Sequence, residues 1–358
     1  MCCGFQNTYP RYPLSVPAAR PFASFMAKSE ESPLSPWDLY QSYGLSPDPN
    51  AGKGVTVAVV AAFGSDSLQN DFDAFNRAFG LPEATVGILY ADTENAAVKT
   101  PENWRIEINA DVSWLHAAAS GVRILCVFAA DAEITSLMNA SLLAAEKADI
   151  VSMSFGSAEF REETDYSRRL AGTGKLFIAS SGDRGGAVLY PSASDAVISV
   201  GGAVFHRNTA NGRVFAYSAW ENGGGGPSLY TGIPNWQKKF APIAPMASGM
   251  RATPDLALDA CQNPGYAVYD GESGAFRGIC GTSISAPVFA GMCARYFAEN
   301  GVRMSSAAMS ARLYELAGAT AYDADQTAFH DVILGSNGRY EALVGFDLCT
   351  GLGVPRPA

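Results

Sequence analysis

Ser283 stands near the head of a small-residue run, GTSISAPVFAG at 281–291, that reads as the opening of a buried helix. A serine hydroxyl placed there meets backbone N–H groups and the positive end of the helix dipole, which favour developing negative charge. Such a nucleophile needs a base to take its proton. The chain holds three histidines, His116, His206 and His330, and none has a catalytic setting in the sequence. Carboxylates are the alternative. Glu107 and Asp111, at i and i+4 in EINADVSW, share one face of a helix. Like charges there repel, so the pair is either a solvated acidic turn or a coupled pair in which one carboxylate tunes the other as base. Asp183, in SSGDRGG, follows the strand-like KLFIAS inside a glycine-rich turn. It is either a turn-favouring Asp or an acid kept neutral so that it can donate a hydrogen bond to an oxyanion.

Asp331 and Asp347 bound the turn-rich stretch HDVILGSNGRYEALVGFD. Carboxylates and loop carbonyls are the hard donors that calcium takes, although the spacing is not that of an EF-hand. The run NGGGG at 222–226 has no following G-K-[ST], so a phosphate-binding loop is set aside. The seven cysteines form no dense framework. Cys126 and Cys293 lie in apolar runs and read as buried thiols, a bridge between Cys261 and Cys280 is open, and no pair has zinc-site spacing.

The elements that must hold these groups alternate along the first half of the chain. Apolar, β-rich runs at 54–63, 122–130, 148–156, 175–183 and 196–202 read as strands buried on both faces, as in a parallel sheet. Helical patterns fall between them at 67–80, 104–120, 134–148 and 163–174. After about residue 203 the pattern breaks into Gly/Pro-rich loops, followed by helices at 282–299 and 305–317. The expected architecture is an α/β, doubly wound, mostly parallel sheet of about seven strands flanked by helices, in a single domain. Active residues then belong in loops at the carboxyl ends of the strands.

Bulk composition narrows the function classes. Hydrophobic residues make up 48% and charged residues 17%, with a net charge of −10. No basic stripe invites nucleic acid. No apolar run reaches the roughly 18 residues of a membrane span. Few ion pairs and excess carboxylates suit work in acid, and they equally suit ordinary solubility. The N-terminal stretch lacks the basic start and apolar core of a secretory signal. Residues 1–34 read as a poorly ordered extension or leader remnant, and 35–358 as the functional domain.

Taken together and in order, these pieces resemble the sedolisin family of serine-carboxyl peptidases, acid-active relatives of subtilisin. GTSISAP, EINADVSW…HAAASG, IVSMSFG, SSGDRGG, GIPNWQ, TPDLALDA and HDVILGSNG…GFDLCTGLG carry the resemblance, which runs from SPWDLYQSYGL to TGLGVP. It implies Ser283 as nucleophile, Glu107 as general base, Asp111 as its orienting partner and Asp183 as the oxyanion-stabilising acid. It implies a substrate-lining strand at Ser154, Phe155 and Gly156, with Phe155 where relatives often carry Trp and an apolar, roomy S1 region. It also implies one structural Ca2+ held by the side chains of Asp331 and Asp347 and the carbonyls of Val332, Leu343 and Gly345. Leu343 replaces a usual glycine there, and Ala61 stands where several relatives have an acid.

The expected activity is hydrolysis of peptide or protein substrates through an acyl-enzyme, by a monomer that is extracellular by resemblance. Family members carry a large N-terminal prodomain, for which the residues before 35 are too few. The rival readings are a pseudopeptidase that binds peptides or a partner protein without cutting, and a histidine-dependent hydrolase built on His116.

Overall fold

A computed structural model of the chain describes residues 17–22, 24–25, 33–92, 100–208, 210–240, 243–260, 264–318 and 328–356. Two short strands come first, β1 (Arg20–Pro21) and β2 (Ser24–Phe25), followed by α1 (Pro36–Tyr43). The alternating half contains β3 (Thr56–Ala62), α2 (Leu68–Phe79), β4 (Gly87–Tyr90), α3 (Glu102–Ala118), β5 (Arg123–Ala129), α4 (Ile134–Lys147), β6 (Ile150–Met153), β7 (Phe155–Ala158), α5 (Glu163–Gly172) and β8 (Leu176–Ser180). Then follow β9 (Leu189–Tyr190), β10 (Ile198–Arg207), β11 (Val214–Ala219), β12 (Gly226–Gly232), α6 (Asn235–Lys238), α7 (Ala244–Ala247), β13 (Met250–Thr253) and β14 (Leu256–Asp259). The hairpin β15 (Tyr266–Asp270) and β16 (Ala275–Cys280) leads into α8 (Thr282–Asn300) and α9 (Ser306–Ala317).

The main sheet has eight strands in the order β11-β10-β8-β6-β3-β5-β4, with β14 also paired to β10. Every pairing in it is parallel except that of β10 with β11. β3 shows why: six of its seven positions, Val57 to Ala62, are buried, as a strand covered on both faces requires. The doubly wound, mostly parallel sheet expected from the alternation is the architecture found. β4 escaped the sequence reading because it is a four-residue edge strand, none of it buried, whose apolar run Ile88–Tyr90 is too short to stand out.

The 148–156 run is not one strand. It breaks at Ser154, so that β6 stays in the main sheet while β7 leaves it for a small antiparallel sheet with β1 and β9. Residues 20–21 and 24–25, within the stretch expected to be poorly ordered, are strands paired to the body of the protein.

Helices α3 and α8 pack against each other at the heart of the fold. Small residues permit the approach: a Cβ on Gly291 of α8 would fall 2.5 Å from the Cβ of Ala118 and 3.3 Å from the Leu115 carbonyl oxygen on α3. Polar anchors fix the rotation of α3, Arg105 and Asn109 from one side and Trp114 from the other. Arg105 pairs with Asp270, Asn109 Nδ2 donates to Asp71 Oδ2 at 2.8 Å, and Trp114 Nε1 donates to the Ala267 carbonyl at 3.1 Å. Residues two positions on are turned by about 200°, so Glu107 and Asp111 face away from the side that Arg105 and Asn109 anchor.

Motif TPDLALDA proves to be scaffold. Asp255 accepts from Arg251 at 2.7 and 3.0 Å, from the Ser199 N–H at 2.8 Å and from the Tyr314 hydroxyl at 2.9 Å. Arg251 and Asp255 are fully buried, and the network ties β13, β10 and α9 to the start of β14.

Candidate active site

Ser283 is the second residue of α8 and is buried. Gly281 caps that helix with φ 152°, a backbone state few side chains tolerate. Asp183 lies just past the end of β8, where the strand–turn pattern put it, and it is locked to the same helix start. Its Oδ1 accepts the Thr282 backbone N–H at 2.9 Å and the Thr282 hydroxyl at 2.8 Å. Thr282 Oγ1 in turn accepts the Gly182 N–H at 3.1 Å. Asp183 Oδ2 is buried, has no hydrogen-bond partner among the described residues, and would lie 2.7 Å from a Cβ on Gly281.

Glu107 and Asp111 come from α3, both buried. Asp111 Oδ1 accepts the Ser154 hydroxyl at 2.6 Å. Burial pushes the Asp111 carboxyl well above the usual range, and the neighbouring charge of Glu107 pushes it the same way, against the Ser154 hydrogen bond. Asp183 is likewise raised well above the usual range, chiefly by burial and also by the charge of Glu107, while the Thr282 hydrogen bonds pull it down. Glu107 therefore sits electrostatically between Asp111 and Asp183. Burial and the charge of Glu107 thus both favour the protonated forms of Asp111 and Asp183.

His116 has a structural setting. It is buried within α3, with Nε2 2.9 Å from the Pro82 carbonyl oxygen and its ring 5.0 Å from that of Phe72. Burial lowers its pKa, against the hydrogen bond to Pro82.

Of the expected substrate-lining residues, Phe155 and Gly156 begin β7, and both are buried. Ser154 lies at the break between β6 and β7, with its hydroxyl donated to Asp111. One edge of β7 pairs with β9, Ser157 opposite Tyr190, and the other edge carries β1, with Arg20 opposite Gly156 and Pro21 opposite Phe155. Ser283, Glu107 and Asp111 are at most 1% exposed, and Asp183 is half-buried. The open hollow lined by Phe63, Asp66, Asp71, Arg105 and Glu272 includes none of them.

The Asp331/Asp347 loop closes on itself. Asp331 Oδ2 accepts the Gly345 N–H at 2.9 Å, and Asp347 Oδ2 accepts the Leu343 N–H at 3.0 Å. Asp347 Oδ1 takes the Cys349 and Thr350 N–H groups at 2.8 and 2.7 Å. Asp331 Oδ1 is buried with no hydrogen-bond partner among the described residues, an orphaned anionic oxygen that fits a hard cation. Val332 is buried and Leu343 is half exposed. Among the described residues no cluster of three His, Cys, Asp or Glu side chains forms a metal site, so any ion here leans on backbone oxygens.

Three features of the site were not legible in the sequence. Thr282 as the residue that holds Asp183, Ser154 as the one that holds Asp111, and β1 lying along β7 all depend on contacts between distant segments. Cys280 is disulfide-bonded, and Cys261 lies outside the described residues.

Residues 129–332 match the subtilase family. The chain is 26% identical to sedolisin of Pseudomonas sp. (strain 101), over 98% of this chain and 64% of that protein. It is 28% identical to kumamolisin of Bacillus sp. (strain MN-32), over 95% of this chain and 67% of that protein. The chain thus spans about two thirds of the length of these relatives. Its structure superposes on that of the Pseudomonas sedolisin, a serine-carboxyl proteinase solved with pseudo-iodotyrostatin, with a TM-score of 0.79 at 26% identity, covering 91% of this chain and 96% of that one. Fervidolysin from Fervidobacterium pennivorans, at 14% identity and a TM-score of 0.52, shares the fold. The chain belongs to the subtilase family, and within it to the sedolisins.

Proposed function

We propose that the protein is a serine-carboxyl peptidase that works in acid, with Ser283 as nucleophile and Glu107 as its base. The observation that carries this reading is the arrangement around the start of α8: Asp183, fastened through Thr282 next to Ser283 in the chain, lies within the field of Glu107 and is raised in pKa. Ionised Glu107 takes the Ser283 proton as Oγ adds to the peptide carbonyl carbon. The oxyanion accepts a hydrogen bond from protonated Asp183, whose Oδ1 is already committed to Thr282, so that Oδ2–H is the donor. Glu107 returns the proton to the leaving nitrogen, and water then hydrolyses the ester. Protonated Asp111, braced by Ser154, keeps the proton off Glu107.

The test is peptide cleavage from pH 3 to 8 by the full chain and by Glu107→Ala, with covalent labelling of Ser283 by a peptide aldehyde. A labelled serine and an acid-side optimum support the reading. A folded protein that neither reacts nor cleaves is a peptide-binding pseudopeptidase instead.

We also propose that the loop carrying Asp331 and Asp347 takes one Ca2+, held by those two carboxylates and the carbonyls of Val332, Leu343 and Gly345. The ion would supply positive charge that rigidifies the loop. Calorimetric titration of the protein with Ca2+ against Asp331→Asn checks it: saturable heat in the wild type, lost in the variant, is expected.

A further inference from the structure

Asp183 is carried by a turn past the end of a strand, and such a turn moves freely unless other chain packs on it. Two loops hold this one. The glycine run NGGGG at 222–226 is the first. The Gly224 N–H donates to the Gly182 carbonyl at 2.7 Å, and the Gly225 N–H donates to the Ala187 carbonyl at 3.0 Å. In the other direction the Gly185 and Gly186 N–H groups donate to the Asn222 and Gly223 carbonyls at 2.9 and 3.0 Å. Main-chain hydrogen bonds thus bracket Asp183 before and after it in sequence. The run must be glycine for the chains to come this close, since a Cβ on Gly224 would collide with the Ser181 carbonyl oxygen.

The second loop is the turn at Asn337, a residue that is fully buried. Its Oδ1 accepts the Tyr340 N–H at 2.9 Å and the Arg339 N–H at 3.3 Å, and its own N–H donates to the Tyr340 carbonyl at 3.1 Å. Its Nδ2 donates to the Leu348 carbonyl at 3.1 Å. This turn lies directly on the Asp183 turn. A Cβ on Gly185 would stand 2.9 Å from the Asn337 carbonyl oxygen. One on Gly186 would collide with Arg339 Cβ and stand 3.2 Å from Asn337 Oδ1. Both glycines have positive φ, 35° and 66°, a backbone state that side chains rarely adopt. The Leu348 carbonyl that Asn337 holds lies in turn against Gly225, where a Cβ would collide with it. Asn337 therefore touches the Asp183 turn and also braces the glycine run that clasps it.

The geometry points to Asn337 as the residue that positions Asp183 for the reaction, acting directly through Gly185 and Gly186 and, by way of Leu348, through Gly225. This role rests on the peptidase reading above. Thr282 fixes Oδ1 of the Asp183 carboxyl, while the two loops fix the backbone from which the carboxyl hangs. The direction of Oδ2 depends on both anchors. Asn337 meets no reacting atom, so its loss should act on the chemical step rather than on substrate binding. A purely structural asparagine would instead lower stability and leave the folded enzyme as fast as before.

The test is peptide cleavage from pH 3 to 8 by the full chain as wild type, Asn337→Ala, Asp183→Ala and the double variant. Asn337→Ala should lower kcat by about 10- to 100-fold, the cost of a misplaced oxyanion donor, with KM little changed. Its alkaline limb should move to lower pH, because a loosened turn admits water and relieves the burial that raises Asp183. Added to Asp183→Ala, the same substitution should cost less than about threefold, since the acid it positions is already gone. Asn337→Asp should recover most of the lost kcat at pH 4, where a buried protonated carboxyl keeps an acceptor for Tyr340 and a donor for Leu348. Should Asn337→Ala fail to fold, Gly186→Ala puts the same question, pressing the turn off Arg339 while every polar group stays. The same loss of kcat, absent on the Asp183→Ala background, is then expected. Equal losses with and without Asp183, or a loss confined to KM or to Tm, overturn the inference and leave the peptidase reading standing. A wild type that cleaves no peptide overturns both.

Discussion

Thr282 gives both its backbone N–H and its hydroxyl to one oxygen of Asp183, at 2.9 and 2.8 Å, and so leaves the other oxygen to face the space in front of Gly281. One carboxylate oxygen is structural and the other is available for chemistry. Thr282, the residue before Ser283, sets the orientation of Asp183, which ties Asp183 and Ser283 to the start of α8.

Replacing Asp183 by Asn keeps a donor of similar shape but removes the acid. Loss of one oxyanion donor costs about 10²–10³-fold in kcat, and a misaimed amide should cost within that range. The more telling change is in pH dependence. Wild-type activity should fall as pH rises through the raised Asp183 pKa, since the carboxylate cannot donate. Asp183→Asn donates at every pH, so its kcat profile should lose that alkaline limb.

Ser154→Ala tests the brace on Asp111. The hydroxyl hydrogen bond at 2.6 Å pulls the Asp111 pKa down against burial. Without it Asp111 protonates still more readily and loses a fixed orientation. The expected outcome is a kcat lower by about tenfold, the size of one neutral hydrogen bond of about 1.4 kcal/mol, with KM little changed. A loss confined to KM would place Ser154 in substrate binding instead.

The fold itself should favour acid. Glu163, at the start of α5, is buried and its carboxyl is pushed up to about 8, mainly by burial and then by the charge of Glu159. Asp111 and Asp183 are shifted in the same direction. A folded chain that holds protons the unfolded chain has released loses stability as pH rises. The contribution of Glu163 is complete below the ordinary carboxylate range of about pH 4 and declines as pH climbs toward 8. Thermal unfolding of Ser283→Ala, which removes self-digestion, should give a higher Tm at pH 4.5 than at pH 8. Adding Glu163→Gln should reduce that difference.

Asp255→Ala should destabilise the protein by about 3–5 kcal/mol, because it leaves the buried Arg251 guanidinium without its partner. Urea unfolding of the Ser283→Ala background measures it. A shift under 1 kcal/mol would mean that Tyr314 and water replace the carboxylate.

Much of the frame was legible in the sequence because each buried parallel strand is an unbroken apolar run, and because helix spacing alone sets Glu107 and Asp111 on one face. The same local logic placed Asp183 past the end of β8. What stayed hidden is non-local. Nothing in PAARPFASF announces strands, since β1 and β2 exist only by pairing with β7 and β16. Ser154 sits inside an apolar run and gives no sign that the strand breaks there or that its hydroxyl reaches α3. Gly185 and Gly186, ordinary turn residues by composition, acquire meaning only from the Asn337 turn packed on them.

The central claim, that Ser283 is a nucleophile served by carboxylates, is met most directly by single-turnover cleavage of an added peptide at pH 4, comparing wild type with Ser283→Ala. The account predicts that the wild type forms a covalent acyl adduct on Ser283, detectable by mass, and that Ser283→Ala loses activity by about 10⁴-fold or more. Cleavage by Ser283→Ala at a rate near that of the wild type would contradict it.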